Sequence, residues 1–140
     1  MRSLEALYTL AEQQNIPVIP YRLPESGSLS VMVDGSCAIG MDPQIQGSRE
    51  RVHLGHELGH CLTGSFYNFH APLDLRQRHE NRADKWAIHM LVPVEALDDA
   101  VASGHTTLTE LAEHFGVTEV FMRKAVCLYT HGNLATELYF

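Results

Sequence analysis

One five-residue pattern constrains this chain more than any other feature, because it has meaning only on a helix. His56, Glu57 and His60 form H-E-x-x-H within the run R-V-H-L-G-H-E-L-G-H. Residues four apart lie one turn above each other on one face of an α-helix, so both imidazoles can bind one metal ion. Glu57 lies further round the axis, where its carboxylate can reach a water molecule beside the metal. The pattern therefore predicts a metal site on a helix, with Glu57 as a general base.

A second motif, E-N-R-A-D, begins twenty residues after His60 and offers a third ligand. A hydrolytic zinc site takes three protein ligands and keeps one position open for water. Glu80 and Asp84 share a helix face, so Glu80 can bind the ion while Asp84 accepts a hydrogen bond from a ligand imidazole. The small side chain of Ala83 would let this helix approach the first one closely. We therefore predict a zinc ion bound by His56, His60 and Glu80.

Three further residues lie near these motifs along the chain. His53 shares a helix face with His56 and His60, and it is either a fourth ligand, which would close the site, or a histidine beside the site or on the surface. Tyr67 follows closely, and its hydroxyl is a candidate donor to the oxyanion that forms when a carbonyl is attacked. A core or surface tyrosine is the alternative. Cys61 adjoins His60, but adjacent helical residues point in different directions, so no Cys-His nucleophile is predicted.

The three cysteines, Cys37, Cys61 and Cys127, indicate free thiols rather than a disulfide framework. Their number is odd, and their spacing fits neither a disulfide ladder nor a C-x-x-C metal pattern. A chain of 140 residues can bury a core without such cross-links. The first residues lack the apolar run of a signal peptide, and no stretch of about 18 apolar residues is present. These features predict a cytoplasmic protein that does not cross a membrane.

The charge of the chain argues against nucleic acid as a direct partner. The formal net charge is −7, with 10 lysines and arginines scattered among 17 acidic residues. Residues 108–130 have the leucine, glycine and valine spacing of a helix-turn-helix. Only Arg123 and Lys124 are basic on its second helix. We therefore expect this segment to pack or to dock a partner, and we do not expect direct nucleic-acid binding.

The order of the predicted elements favours an α+β fold with strands and helices segregated. A helix over 3–15, capped by Ser3, precedes a short extended piece at 18–19. A strand over 29–33, a turn at Asp34-Gly35 and a return strand over 36–41 complete a small antiparallel sheet. An irregular stretch is expected over 65–76. Helices are predicted over 48–62, from about Arg78 to Leu91, over 94–102, 108–114 and 119–130, with Ser48, Thr107 and Thr118 as N-caps.

The two motifs together resemble a known family. The run over 51–60 and the segment E-N-R-A-D-K-W-A-I-H-M-L-V-P over 80–93 are similar to the ImmA/IrrE family of metallo-endopeptidases. The resemblance covers almost the whole chain, from the N-terminal helix to the helical tail. It implies a zincin-like metallopeptidase core over 1–104 and a helical, helix-turn-helix-like extension over 105–140, packed as one domain.

The resemblance also implies an activity, a site and a partner. It makes His56, His60 and Glu80 the zinc ligands, Glu57 the base and Asp84 the partner of a ligand imidazole, as in thermolysin-like gluzincins. The chain is similar to the short members carried by phages and mobile elements. Family members cleave helix-turn-helix repressors of prophages, mobile elements or stress regulons, which derepresses the controlled genes. The implied function is thus a zinc endopeptidase whose substrate is such a repressor.

Two other functions remain open on the sequence. One is a zinc-binding regulator, such as an anti-repressor or a toxin-antitoxin component, that acts by binding without cleavage. The other is a DNA-binding regulator in which H-E-x-x-H is incidental. For an endopeptidase, we expect an extended substrate segment to add to the sheet edge near residues 29–41, because backbone pairing suits proteolysis.

Overall fold

The fold is described from a computed structural model, which covers residues 3–68, 70–136 and 138. Within these ranges a helix and three strands are followed by five further helices, and this order confirms the predicted α+β class. The elements are α1 (Leu4–Gln13), β1 (Val18–Pro20), β2 (Ser28–Val33), β3 (Ser36–Met41), α2 (Ser48–Thr63), α3 (Leu73–Leu91), α4 (Val94–Ala102), α5 (Leu108–Phe115) and α6 (Glu119–His131). The predicted extension over 105–140 includes residues 137, 139 and 140, which lie outside the described residues.

The helix starts follow local capping chemistry. Three predicted N-caps are confirmed, since each side-chain hydroxyl accepts a hydrogen bond from the backbone N–H three residues on: Ser3, Thr107 and Thr118. Ser48 is not a cap, because it is the first residue of α2 and Gly47 occupies the N-cap position. Helix α3 starts at Leu73, well before the predicted start near Arg78. Pro72, which suggested an irregular stretch, is its N-cap, where the missing N–H costs nothing.

The sheet is mixed rather than wholly antiparallel. Strands β2 and β3 form the predicted hairpin, and Asp34 and Gly35 have φ values of 51° and 79°, as a two-residue turn with positive φ requires. Strand β1 instead pairs in parallel with β3, with Val18 opposite Ile39, so the strand order is β1-β3-β2. The antiparallel prediction is therefore wrong for β1, because the chain over 21–27 crosses the end of β3 before β2 begins. This crossing leaves β2 at an edge of the sheet.

A single hydrophobic cluster includes residues of all six described helices and of β3. Leu54 and Leu58 of α2 are fully buried in it, as are Ala87 and Leu91 of α3. Phe115 of α5 is 1% exposed and belongs to the same cluster. The helical tail therefore shares its core with the helices that carry the two motifs.

A disulfide joins the sheet to α2, the helix that carries H-E-x-x-H. Cys37 of β3 and Cys61 of α2 form a disulfide, with Cα atoms 5.7 Å apart. The prediction of free thiols is wrong for this pair and holds for Cys127, which is buried and free. Sequence spacing could not reveal the pair, because the two cysteines meet only once β3 packs on α2. The disulfide therefore removes the support that three free thiols gave to the predicted cytoplasmic location.

No helix in the described ranges combines the length and the apolar character that a span requires. This agrees with the sequence, in which no apolar stretch of that length was found.

Candidate metal centre

Helices α2 and α3 bring the three predicted ligands together. Glu80 Oε2 lies 2.7 Å from His56 Nε2 and 3.2 Å from His60 Nε2, and the two Nε2 atoms are 3.2 Å apart. Neighbouring ligand atoms lie about 3.3 Å apart in a tetrahedral site with metal–nitrogen bonds of about 2.0–2.1 Å. The three atoms therefore stand at nearly the spacing that a bound metal ion would require.

Hydrogen bonds on the far side of each ring determine which nitrogen holds the lone pair when the ring is neutral. His56 Nδ1 lies 2.7 Å from Asp84 Oδ1, and His60 Nδ1 lies 2.5 Å from the carbonyl oxygen of Ser65. A carboxylate and a carbonyl only accept hydrogen bonds, so each Nδ1 donates, and a neutral ring then keeps a lone pair on Nε2. Two lone pairs and the Glu80 carboxylate thus converge on one point. A metal ion at that point can satisfy all three, so this donor set fits a metal ion.

The charges around the ligands also favour a cation. Burial by itself lowers the pKa of His56, but hydrogen bonds to the carboxylates of Asp84 and Glu80 outweigh it and raise that pKa to about 10. Burial opposes ionisation of Glu80 too, yet its hydrogen bonds to His56 and His60 bring its pKa well below the usual range. Protons and metal ions compete for the same imidazole lone pairs. The field that favours a proton here would therefore also favour a metal ion.

Asp84 also contacts the C-terminal helix. Lys124 Nζ of α6 lies 3.0 Å from Asp84 Oδ2, while the other carboxylate oxygen contacts His56. One aspartate therefore connects a candidate ligand to the helical tail. This contact is of the packing kind expected for residues 108–130. No spacing rule links Lys124 to a carboxylate forty residues earlier.

Glu57 projects from α2 beside the candidate ligands and is 6% exposed. Its Oε2 atom accepts a hydrogen bond from Ser28 Oγ at 2.7 Å. His53 lies on the other side of that serine, with Nδ1 2.8 Å from Ser28 Oγ. His53 is not part of the cluster of candidate ligand atoms, so among the sequence alternatives it is a histidine beside the site. Ser28 was missed by the sequence analysis, which gave no role to the start of β2.

Tyr67 lies at the mouth of the site. Its hydroxyl donates a hydrogen bond to Glu80 Oε1 at 2.8 Å, and the residue is 39% exposed. This contact fixes one carboxylate oxygen of Glu80 and leaves the other directed at the imidazoles. The role of oxyanion donor stays a prediction for Tyr67, although its hydroxyl lies next to the candidate metal position.

A cleft of about 660 Å³ opens over these residues, between β2 on one side and α6 on the other. Its walls are partly apolar, with contributions from Leu29, Val52, Phe66, Val120 and Phe121. The cleft also contains all the residues of the site described above that carry acid, base or ligand groups. It is large enough to admit a short stretch of extended chain.

The wall of the cleft formed by β2 has free backbone groups. Antiparallel pairing alternates between bonded and non-bonded residues. The N–H of Asp42 donates to the carbonyl of Gly27 at 2.9 Å. Every second residue after Gly27 therefore directs its backbone N–H and C=O groups toward β3. The backbone groups of Ser28 and Ser30 therefore face away from β3, and both residues line the cleft. No further strand pairs with this edge in the part of the chain that the structure describes.

Comparison with known proteins agrees with this geometry. The model of one family, Peptidase_M78, described as the IrrE N-terminal-like domain, matches residues 11–126. The match reaches from α1 into α6 and includes both motifs. No curated protein matches the chain. The family supports a metallopeptidase-type function, and the cluster of His56, His60 and Glu80 is compatible with a metal ion.

Proposed function

Because the chain belongs to the Peptidase_M78 (IrrE N-terminal-like) family, we propose that it is a zinc-dependent endopeptidase that cleaves a helix-turn-helix transcriptional repressor. The observation that carries the proposal is the convergence of His56 Nε2, His60 Nε2 and Glu80 Oε2 beside a cleft that contains Glu57. Two imidazoles and one carboxylate are a donor set that zinc accepts in hydrolytic sites.

Two observations, the family resemblance and the net charge, support a repressor as the substrate. The family resemblance drawn from the two motifs implies a repressor of a prophage or mobile element, whose loss would derepress the genes it controls. DNA-binding proteins carry basic surfaces. A chain of net charge −7 is complementary to such a partner, and complementary charge accelerates association. A repressor acts where the DNA is, so the proposal also implies a cytoplasmic location.

Different residues of the cleft would carry out different parts of the hydrolysis. Zinc bound by the three ligands would supply Lewis-acid chemistry that polarises the scissile carbonyl and makes a neighbouring water more acidic. Glu57 takes a proton from the attacking water and delivers it to the leaving amine nitrogen. Asp84 and the Ser65 carbonyl orient the two imidazoles from behind. Tyr67 would donate a hydrogen bond to the carbonyl oxygen as negative charge develops there, in place of its bond to Glu80 Oε1.

Substrate binding follows from the free edge of β2. An extended segment of the repressor can pair with the backbone groups of Ser28 and Ser30 that face away from β3. Such pairing is independent of side chains, so it lets a cleft of this size accept many sequences. The apolar walls contributed by Val52 and Phe121 would then select among them.

The decisive experiment compares wild-type protein with Glu57→Gln and with Glu113→Gln, an exposed glutamate of α5 that serves as the matched control. Zinc content is measured by elemental analysis, and cleavage is followed with a purified helix-turn-helix repressor encoded beside the gene. We expect about one zinc per chain in all three proteins. Glu57→Gln should lose roughly 100- to 10,000-fold of the cleavage rate, as removal of a general base does, while Glu113→Gln should match wild type.

Three results would contradict the proposal. Absence of zinc from the wild-type protein would exclude the metal site. Full activity of Glu57→Gln would exclude the base. Tight binding of the repressor without any cleavage would favour a regulator that acts by binding, which is the alternative that the sequence left open.

A further inference from the structure

A buried serine links Glu57 to a histidine outside the metal cluster. Ser28 Oγ lies 2.7 Å from Glu57 Oε2 and 2.8 Å from His53 Nδ1. Ser28 and Glu57 are each 6% exposed, so water competes little for these bonds. A carboxylate only accepts, so Ser28 must donate its single proton to Glu57 and accept from His53. The hydrogen bonds therefore run in one direction, from the imidazole through the hydroxyl to the carboxylate.

We propose that Ser28 and His53 are positioning residues that orient the carboxylate of Glu57 for proton transfer. The inference rests on the proposed function, because it assigns their role in that hydrolysis. With Oε2 bound to Ser28, the other oxygen of Glu57 is left to meet the reacting water. Oε1 makes no hydrogen bond to any residue that the structure describes. A glutamate side chain has several rotatable bonds, and small errors in the geometry of a catalytic group are costly in rate.

The packing around the serine keeps this chain of hydrogen bonds in place. Gly27 has a φ of +79°, and a Cβ added there would lie 2.3 Å from Ile45 Cδ1 and 3.0 Å from His53 Cε1. The imidazole of His53 can therefore lie against the backbone beside Ser28 only because residue 27 has no side chain. The carbonyl of Gly27 also accepts the N–H of Asp42 at 2.9 Å, which anchors the start of β2 to the end of β3. The hydroxyl of Ser28 is thus fixed by its strand and by its histidine.

The position of Ser28 on β2 connects the base to substrate binding. The same strand presents the free backbone edge on which the substrate is proposed to pair. A substrate that docks there approaches a carboxylate already fixed by that strand. The inference therefore predicts an effect on the rate of the chemical step, and no effect on metal binding, because the bonds of Ser28 run to Glu57 and His53 rather than to the ligands.

The test uses four variants of the full chain. Ser28→Ala removes the hydroxyl, Ser28→Thr restores it, and His53→Phe removes the donor to Ser28 while keeping a ring. Ser36→Ala, an exposed serine of β3 outside the cleft, is the matched control. We expect Ser28→Ala to lower kcat roughly 10- to 100-fold, by analogy with the loss of a hydrogen-bond partner behind a metal ligand, with KM and zinc content unchanged. Ser28→Thr should recover most of kcat, and His53→Phe should fall between Ser28→Ala and wild type.

A second readout does not depend on activity. Crystal structures of metal-free wild-type and Ser28→Ala proteins would show whether Glu57 keeps its position. We expect the carboxylate to lie within hydrogen-bond distance of Ser28 in the wild type and to leave that position or occupy several rotamers in the variant. A carboxylate in the same single position in both proteins would overturn the inference.

The kinetic measurements distinguish failure of this inference from failure of the proposed function. Wild-type kcat in Ser28→Ala, together with an inactive Glu57→Gln, would overturn the positioning role alone. Full activity of Glu57→Gln would instead remove the proposed mechanism. Loss of zinc from Ser28→Ala would assign the serine to the metal site and would also overturn the inference.

Discussion

Gly59 of α2 rests directly on the backbone of Ala83 in α3: a Cβ added to the glycine would lie 2.5 Å from the Ala83 carbonyl oxygen. Backbone atoms cannot rotate out of the way as a side-chain end can. The contact fixes the distance between the two helices, one of which carries His56 and His60 and the other Glu80. The spacing of the candidate ligands therefore depends on a residue that binds nothing.

Replacing this glycine should damage both stability and the metal site. We expect Gly59→Ala to lower the free energy of unfolding by about 1–3 kcal/mol, the usual cost of overpacking. It should also weaken zinc binding, because the two helices must separate. Urea unfolding of the metal-free protein and competition with a chromophoric chelator measure the two effects.

Gly55, one turn earlier in α2, provides the matched control. A Cβ there meets Leu91 Cδ1 at 3.1 Å, which is the end of a flexible side chain. Alanine also favours helix over glycine by up to about 1 kcal/mol. Gly55→Ala should therefore be close to neutral in stability and in zinc affinity. Equal behaviour of the two variants would show that the contact at Gly59 does not set the helix spacing.

Removing ligands and their partners should weaken zinc binding in a graded way. Asp84→Asn should reduce affinity roughly 10- to 100-fold, because the amide can no longer act as a charged acceptor for His56 Nδ1. Glu80→Ala should reduce it further, because a ligand itself is lost. Asp74→Ala, at an exposed position in the first turn of α3, should leave it unchanged. Chelator competition measures all three, and a fully loaded Glu80→Ala protein would refute the ligand assignment.

The sequence predicted the parts of the site that helical periodicity encodes. His56, His60, Glu80 and Asp84 each lie four residues from a functional partner on one helix, so spacing alone predicted shared faces. Most helix positions were also predicted, because caps such as Thr107 act within one turn. These features depend on interactions close in sequence.

Contacts between elements distant in sequence could not be predicted in this way. The parallel pairing of β1 arises only when β1 meets β3, and the Cys37–Cys61 disulfide arises only when β3 packs on α2. Ser28 and Lys124 reach the site from β2 and from α6, at separations of 29 and 40 residues from their partners. Neither belongs to a motif, and a single serine or lysine carries no signal until the fold brings it to a carboxylate.

The free edge of β2 should contribute to substrate affinity. Ser30→Pro removes an N–H that faces away from β3, so the hairpin keeps its own hydrogen bonds while a pairing substrate loses one. One hydrogen bond is worth about 0.5–1.5 kcal/mol, so KM should rise roughly 2- to 10-fold with little change in kcat. Ser30→Ala keeps the N–H and separates this effect from loss of the hydroxyl. Steady-state kinetics in which Ser30→Pro has the KM of Ser30→Ala would argue against strand pairing.

Asp42, at the end of β3, should make stability depend on pH in acid. Its carboxylate accepts the backbone N–H groups of Gln44 and Leu23, each at 2.9 Å, and these bonds lower its pKa below the usual 3.8. The unfolded chain then binds the proton more tightly, so the stabilisation is complete above about pH 4 and is lost as pH falls through the lower pKa of the folded state. Asp42→Asn does not titrate. The difference in free energy of unfolding between wild type and Asp42→Asn should therefore become smaller below pH 4. Urea unfolding of the metal-free proteins from pH 7 to pH 3 measures it. A difference that stays constant over this range would contradict the assignment.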